Sequence, residues 1–283
     1  MKFKTKVILS IVIFLALERF TYMQTGGFSP YKICYKEGPQ TSYRPQVSAP
    51  LPTNTHDELL NQTFYYLGKG AQYFVFLGED GKTILKFVKY KHAASYKLMN
   101  SLFESPAKED KRVLKLFKSA EIAGGLLGNE TGIIDVNLVS DRKEKRPLKI
   151  VDKLGIEHII DLSKTSFILQ NRATPLFDQF TYWQKEGKMD EAKAGIDSLL
   201  AIIQKRHELG IRNMDTRIRN FGFTGTQAIE IDIGSFIQEK GQSLEHSLKF
   251  ETKELKEWLD QNNQKLSAYL TQRIDEIFSE KKI

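Results

Sequence analysis

Three short runs, Phe64–Leu67, Tyr73–Leu77 and Thr83–Val88, are rich in aromatic and β-branched residues and are separated by Gly68, Gly70, Gly78 and Gly81. Strand-length apolar runs broken by turn residues predict an antiparallel meander. The Asp80-Gly81 pair between the second and third runs is a strong hairpin signal. Ile133–Val139, Leu148–Lys153, His158–Leu162 and Ser166–Gln170 read as further strands, and Ala228–Ile231 as a short one. Elsewhere the period changes. Across Arg112–Leu127 the residues Val113, Leu116, Phe117, Ala120 and Ala123/Leu127 recur at helical spacing, with Gly128 as a stop signal. Across Asp190–Leu209 the stripe is Ala194, Ile196, Leu199, Leu200, Ile203 and Leu209, and Gly210 ends it. Leu255, Trp258, Leu259, Leu266, Leu270 and Ile274 continue amphipathic spacing towards the C-terminus. Strand-like runs and amphipathic helices together make the expected fold class α+β.

The N-terminus follows a different pattern. Lys2, Lys4 and Lys6 precede the apolar run Val7–Leu17, the charged and apolar regions of a secretory signal. Phe20, Tyr22 and Met23 extend that run past Glu18 and Arg19, which allows an uncleaved anchor instead. Residues 1–20 are therefore expected to be a signal peptide or membrane anchor. Five of the eight prolines, with Gly26, Gly27 and Gly38, fall between Gly26 and Thr55, so residues 21–60 read as a linker and the domain proper is expected to begin near Asn61.

Composition narrows the function classes. The single cysteine, Cys34, excludes an internal disulfide framework and a cysteine-based zinc cluster, and the five histidines show no HExxH spacing. A net charge of +7 is spread over interleaved lysines and glutamates, so no nucleic-acid partner is expected.

Two segments carry candidate chemistry. Gly68-Lys69-Gly70 opens a turn whose backbone amides can approach a phosphate closely. Lys86, amid Ile84, Leu85, Phe87 and Val88, needs an anionic partner if its ammonium faces inward. The second segment is His207-Glu208-Leu209-Gly210-Ile211-Arg212-Asn213-Met214-Asp215-Thr216-Arg217-Ile218-Arg219-Asn220, followed twelve residues on by Asp232-Ile233-Gly234.

The second segment resembles, without a gap, the LHxxGIxHRDxKxxN run of protein kinases, matching at His207, Gly210, Ile211, Asp215 and Asn220, with Arg217 in place of the lysine. Asp232-Ile233-Gly234 resembles the Asp-Phe-Gly motif with isoleucine for phenylalanine. Gly68, Gly70 and Lys86 match the first two glycines of the glycine-rich loop and the third-strand lysine, while Tyr73 stands at the third glycine. Asn213 and Met214 replace the usual histidine and arginine, no APE motif follows, and the peptide-docking helices are largely missing from the 49 residues after Gly234.

The resemblance, to atypical and divergent bacterial-type kinase-like proteins, implies a two-lobed fold. Residues 61–172 would be a β-rich N-lobe and 173–283 a reduced, mostly helical C-lobe. It implies ATP and Mg2+ as cofactors and the hydroxyl of a protein or small molecule as acceptor. Asp215 would take or orient the acceptor proton, Asn220 and Asp232 would hold magnesium, and Arg217 would neutralise phosphate charge. Glu121, with Glu130 as the other candidate, would pair with Lys86, and Leu169 to Arg172, including Asn171, would meet the adenine. A pseudokinase acting as a nucleotide-binding or protein-interaction module is the alternative, and a structural membrane-tethered protein a third. Because ATP is scarce in a bacterial periplasm, an exported kinase should end in a nucleotide-containing compartment.

Overall fold

A computed structural model describes residues 2–34, 58–90, 106–138, 146–239 and 243–280. Among these, the helices are α1 (Lys2–Thr25), α2 (Pro106–Leu126), α3 (Gly128–Thr131), α4 (Leu176–Lys185), α5 (Met189–Glu208), α6 (Leu244–Glu251), α7 (Lys253–Asn262) and α8 (Gln264–Glu280). The strands are β1 (Phe64–Lys69), β2 (Tyr73–Gly78), β3 (Thr83–Val88), β4 (Ile133–Asn137), β5 (Pro147–Val151), β6 (Glu157–Asp161), β7 (Phe167–Asn171), β8 (Thr174–Pro175), β9 (Ile211–Asn213), β10 (Phe221–Thr224), β11 (Gln227–Glu230) and β12 (Phe236–Gln238). The fold is mixed α+β. The chain forms two compact units, one of residues 1–44, 51–111 and 137–169, the other of 45–50, 112–136 and 170–283. Arg112–Val136 belongs to the second unit.

In the first unit the strand order is β7-β3-β2-β1-β5-β6. The meander forms as the pattern predicts: β1 pairs antiparallel with β2 (Phe64 opposite Gly78) and β2 with β3 (Tyr73 opposite Val88). On the other side of β1, β5 runs parallel to it and turns back antiparallel into β6. Phe64, Phe76 and Phe87 are fully enclosed in this core.

The start of the expected linker is instead part of the structure. Thr21–Thr25 are the last residues of α1, and Gly26 and Gly27, both at positive φ, reverse the chain. Phe28 then inserts edge-on against Phe74 and Phe76, each 5.2 Å away between ring centres. Ile33 is completely buried and Cys34 bridges to Thr165. The proline count predicted absence of regular structure, but two apolar side chains are enough to seat an irregular segment. Residues 35–57 lie outside the described residues.

In the second unit α5 is the central helix. Asp190 and Glu191 stand in its first turn and Lys205, Arg206 and His207 in its last, each sign opposing the helix dipole. Gly210, at φ +64°, supplies the left-handed residue that ends it. Ile196, Leu199, Leu200 and Ile203 are buried as expected, whereas Ala194 and Leu209 are exposed, and Ala192, Gly195 and Ile202 take up the remaining core positions. Gly195 is required there, because a Cβ would lie 2.6 Å from the Trp183 ring. Phe180, Trp183 and Phe223 pack around this point edge to face, and Leu255, Leu259, Leu266, Leu270 and Ile274 close the core from α7 and α8. In α2, Val113, Leu116, Phe117, Ala120 and Ala123 are buried as their spacing predicts. α2 stops at Leu126, just before Gly128 as expected, but Gly128 begins the short α3, and the left-handed residue is Gly132, at φ +62°.

Candidate functional site

The segment that follows α5 is held by backbone pairing. β9 lies antiparallel to β12, with Asn213 opposite Phe236, and the Met214 amide donates to the Ser235 carbonyl at 2.9 Å. Asn213 is buried and works in both directions: its side-chain oxygen accepts the Asp215 amide at 2.8 Å, and its side-chain nitrogen donates to Glu230 Oε1 at 2.6 Å. Asn220 then closes the loop, its Nδ2 donating to the Asp215 carbonyl at 2.8 Å. The backbone on both sides of Asp215 is therefore pinned by an asparagine side chain. Its carboxylate faces outward, where Arg217 Nε lies 3.1 Å from Oδ1, both side chains well exposed.

β10 and β11 form a hairpin in which Phe221 faces Glu230 and Thr224 faces Gln227. At its open end the Ile231 amide donates to the Asn220 carbonyl at 2.6 Å. Asn220 thus stands across from Ile231, and Asp232 is the next residue along. Asp232 turns the chain, its Oδ1 accepting the Gly234 amide at 3.2 Å. Ser119 of α2 fixes this turn: its hydroxyl donates to the Ile233 carbonyl and accepts the Phe236 amide at 2.7 Å.

Beneath the loop is a charged cluster that the sequence reading missed. Arg206 is 2% exposed, its Nε 3.2 Å from Glu230 Oε2 and its NH2 group paired with Glu251. Burial, opposed by Arg206, pushes the Glu230 carboxyl up to about 7, and burial likewise raises Glu251. The signal was present: Arg206 falls three residues after Ile203 and seven after Leu199, on the apolar stripe. A charge on such a stripe demands buried partners.

Met214 and Thr216, on either side of Asp215, line a cavity of about 700 Å³ together with Ile211, Arg206, Phe250 and Glu251. That volume lies within the range of small-molecule sites.

The remaining expected residues are placed as follows. Gly68 pairs with Val75 just after a bulge in β1, and the Gly70 amide donates to the Tyr73 carbonyl at 3.0 Å. Neither glycine has a positive φ, and nothing lies within 4 Å of a Cβ built on either, so their freedom is towards open space. Tyr73 is buried. Lys86 pairs with Val75 on β3 and is half-buried between the enclosed Leu85 and Phe87. Leu169 is fully buried in β7, and Asn171 is exposed, its amide donating to the Gly132 carbonyl at 2.8 Å. Glu121 is partly buried on α2, where burial alone raises its carboxyl above the usual range. The other candidate, Glu130, is paired with Lys205 at 2.6 Å.

The donor set suits a hard divalent cation. The Asn220 amide turns its nitrogen to the Asp215 carbonyl, which leaves its oxygen as a potential ligand, and Asp232 follows the residue whose amide the Asn220 carbonyl holds. Among the described residues no three or more histidine, cysteine, aspartate or glutamate side chains gather at metal-binding distance. No protein-family model matches the chain, and neither does any curated protein sequence.

Proposed function

We propose that this chain is an ATP- and magnesium-dependent phosphotransferase with a two-lobed, protein-kinase-like fold, transferring the γ-phosphoryl group to a hydroxyl. The observation that carries this is the convergence of Asp215, Asn220 and Asp232: the Asn220 side chain holds the Asp215 carbonyl, and its backbone holds the residue before Asp232. Three residues spaced over eighteen positions are thereby fixed in one loop and hairpin, as phosphoryl transfer requires of a proton acceptor and its metal ligands.

Magnesium, when bound, neutralises charge on the phosphates; Asn220 and Asp232 would hold it. Asp215 orients the acceptor hydroxyl and takes its proton. Arg217 exchanges its Asp215 contact for phosphate charge, in the bidentate manner arginine favours. By the resemblance, Gly68, Gly70 and Lys86 are assigned to the phosphates, and Leu169 and Asn171 to the adenine.

The test is ATP binding and transfer from labelled ATP by the full chain in detergent. Asp232→Ala is expected to abolish the magnesium-dependent part of binding. Asp215→Ala should retain binding and lose transfer by about 10²–10⁴-fold. Binding indifferent both to magnesium and to Asp232→Ala would overturn the proposal. The Arg217–Asp215 pair at 3.1 Å favours a second reading, a nucleotide-binding pseudokinase, because it engages the carboxylate that must take the proton. Magnesium-dependent binding with no transfer by the unaltered chain would select that reading.

A further inference from the structure

One end of the first unit's sheet gathers features that the phosphotransfer reading does not use. α1 contains a stretch, Val7–Thr25, long and apolar enough to cross a bilayer, and none of that stretch is buried by the rest of the chain. At about 1.5 Å per residue it reaches about 28 Å, close to the thickness of a hydrocarbon core. Its last turn is fastened to the sheet. Lys153 Nζ donates to the Met23 carbonyl at 2.9 Å, and Lys69 Nζ lies 3.6 Å from the centre of the Tyr22 ring. Phe28, three residues past the helix, is locked in the aromatic core. A removable signal would not share its final turn with a folded sheet.

The strand directions set what else lies at that level. β1 ends at Lys69, and β5, parallel to β1, leads into the turn Asp152–Ile156 at the same end of the sheet. On that turn Leu154 and Ile156 are each 51% exposed, and Leu67 near the end of β1 is 54% exposed. The turn's acidic group is consumed internally: Asp152 accepts the Leu154 amide at 2.8 Å and the Ile156 amide at 3.0 Å, and bonds His158. Lys69, Lys153, Leu154 and Ile156 are exposed around the foot of an apolar helix, and the neighbouring exposed acid, Glu157, is paired with Lys149 at 2.6 Å.

We propose that α1 is retained as a membrane span and that this end of the sheet, centred on Lys69, Lys153, Leu154 and Ile156, is a second membrane-contacting surface seated on anionic lipid headgroups. The helix fixes the depth of the surface, since Lys153 binds the helix within its last turn. Apolar side chains with lysines beside them suit the boundary between headgroups and acyl chains. Each lysine contributes about a fivefold preference for an anionic surface. This inference stands apart from the phosphotransfer proposal and uses none of its residues.

The test uses the full chain with Cys34→Ser, carrying one fluorophore at either Leu154→Cys or Lys82→Cys. Lys82 lies in the β2–β3 turn, at the opposite end of the sheet. The proteins are reconstituted in phosphatidylcholine vesicles with or without phosphatidylglycerol, with a shallow spin-labelled lipid as quencher. We expect an intact mass that includes α1, carbonate-resistant insertion, strong quenching at position 154 and little at position 82. Adding Lys69→Glu should lower the quenching at 154 in the anionic vesicles several-fold without releasing the chain. Should that variant misfold, replacing phosphatidylglycerol by phosphatidylcholine tests the same charge term on the unaltered chain. Equal quenching at the two positions, quenching at 154 insensitive to lipid charge, or a mature chain lacking α1 would each overturn the proposal.

Discussion

Glu230 is held where burial and ion pairing pull against each other. Taking a carboxylate out of water favours its neutral form, while Arg206 and the Asn213 amide favour the charged one. Burial prevails, and the group releases its proton at about 7 in the folded chain against 4.5 ordinarily. Between those values the folded state binds more protons than the unfolded state, so the contribution of Glu230 to stability is greatest at low pH and falls as pH rises. The loss approaches about 3 kcal/mol above neutrality. The carboxylates held below their usual range, Asp80, Asp152 and Asp161 among them, lose their contribution at more acidic pH, outside this window. Melting of the full chain in detergent without magnesium should therefore occur at lower temperature at pH 7.5 than at pH 5. Glu230→Gln should remove most of that difference, leaving a smaller slope of the same sign from Glu251 and Glu121, which burial also raises. An unchanged difference in the variant would show that another group is responsible.

At the scale of elements, the Asp232 turn depends on a helix that is remote from it in sequence. Ser119 satisfies a carbonyl and an amide of the 233–236 segment at once, and its hydroxyl is buried. Ser119→Ala leaves both backbone groups unpaired at a cost of about 1–3 kcal/mol and frees the turn that carries the proposed metal ligand. Ser198 provides the comparison, since its hydroxyl accepts the Ala228 amide at 2.9 Å on β11, away from the hairpin's open end. Both alanine variants should melt lower, but Ser119→Ala alone should weaken magnesium-dependent ATP binding, on the order of tenfold. Equal effects on binding would deny the turn a specific role. Long, periodic elements were legible from sequence: the β1–β3 meander and α5 lie within two residues of their expected bounds, while α2 ends one residue early and begins six residues before its expected start. The two- and three-residue strands β8, β9 and β12 were not, because so few residues carry no period. Arg206, Ser119 and Glu251 were missed because their partners are distant in sequence and only folding brings them together.

At the scale of the whole molecule, sequence continuity misleads about where the first unit begins. A chain started at Asn61 looks complete if Gly26–Thr55 is taken as a linker. It would lack Phe28 and Ile33, which are 6% and 0% exposed. It would also lose the Lys32 carbonyl that accepts the Tyr90 amide at 2.8 Å and the bridge from Cys34 to Thr165. Each buried apolar side chain of this size is worth about 1.5–3 kcal/mol, so the two together represent about 3–6 kcal/mol. That is a large share of the 5–15 kcal/mol typical of a folded domain. The core left behind would expose Phe74 and Phe76, the two rings on which Phe28 packs. A chain begun at Thr25, which keeps the Gly26-Gly27 reversal and Phe28 but omits the membrane-length helix, should fold and melt cooperatively. The chain begun at Asn61 should melt at lower temperature, bind a hydrophobic dye or aggregate. A double substitution, Phe28→Ala with Ile33→Ala, in the chain begun at Thr25 should reproduce most of that loss, because the defect is a missing piece of core and not a shorter polypeptide. Equal melting temperatures for the two truncated chains would return Gly26–Cys34 to the status of a linker and would remove the anchoring of α1 to the sheet along with it.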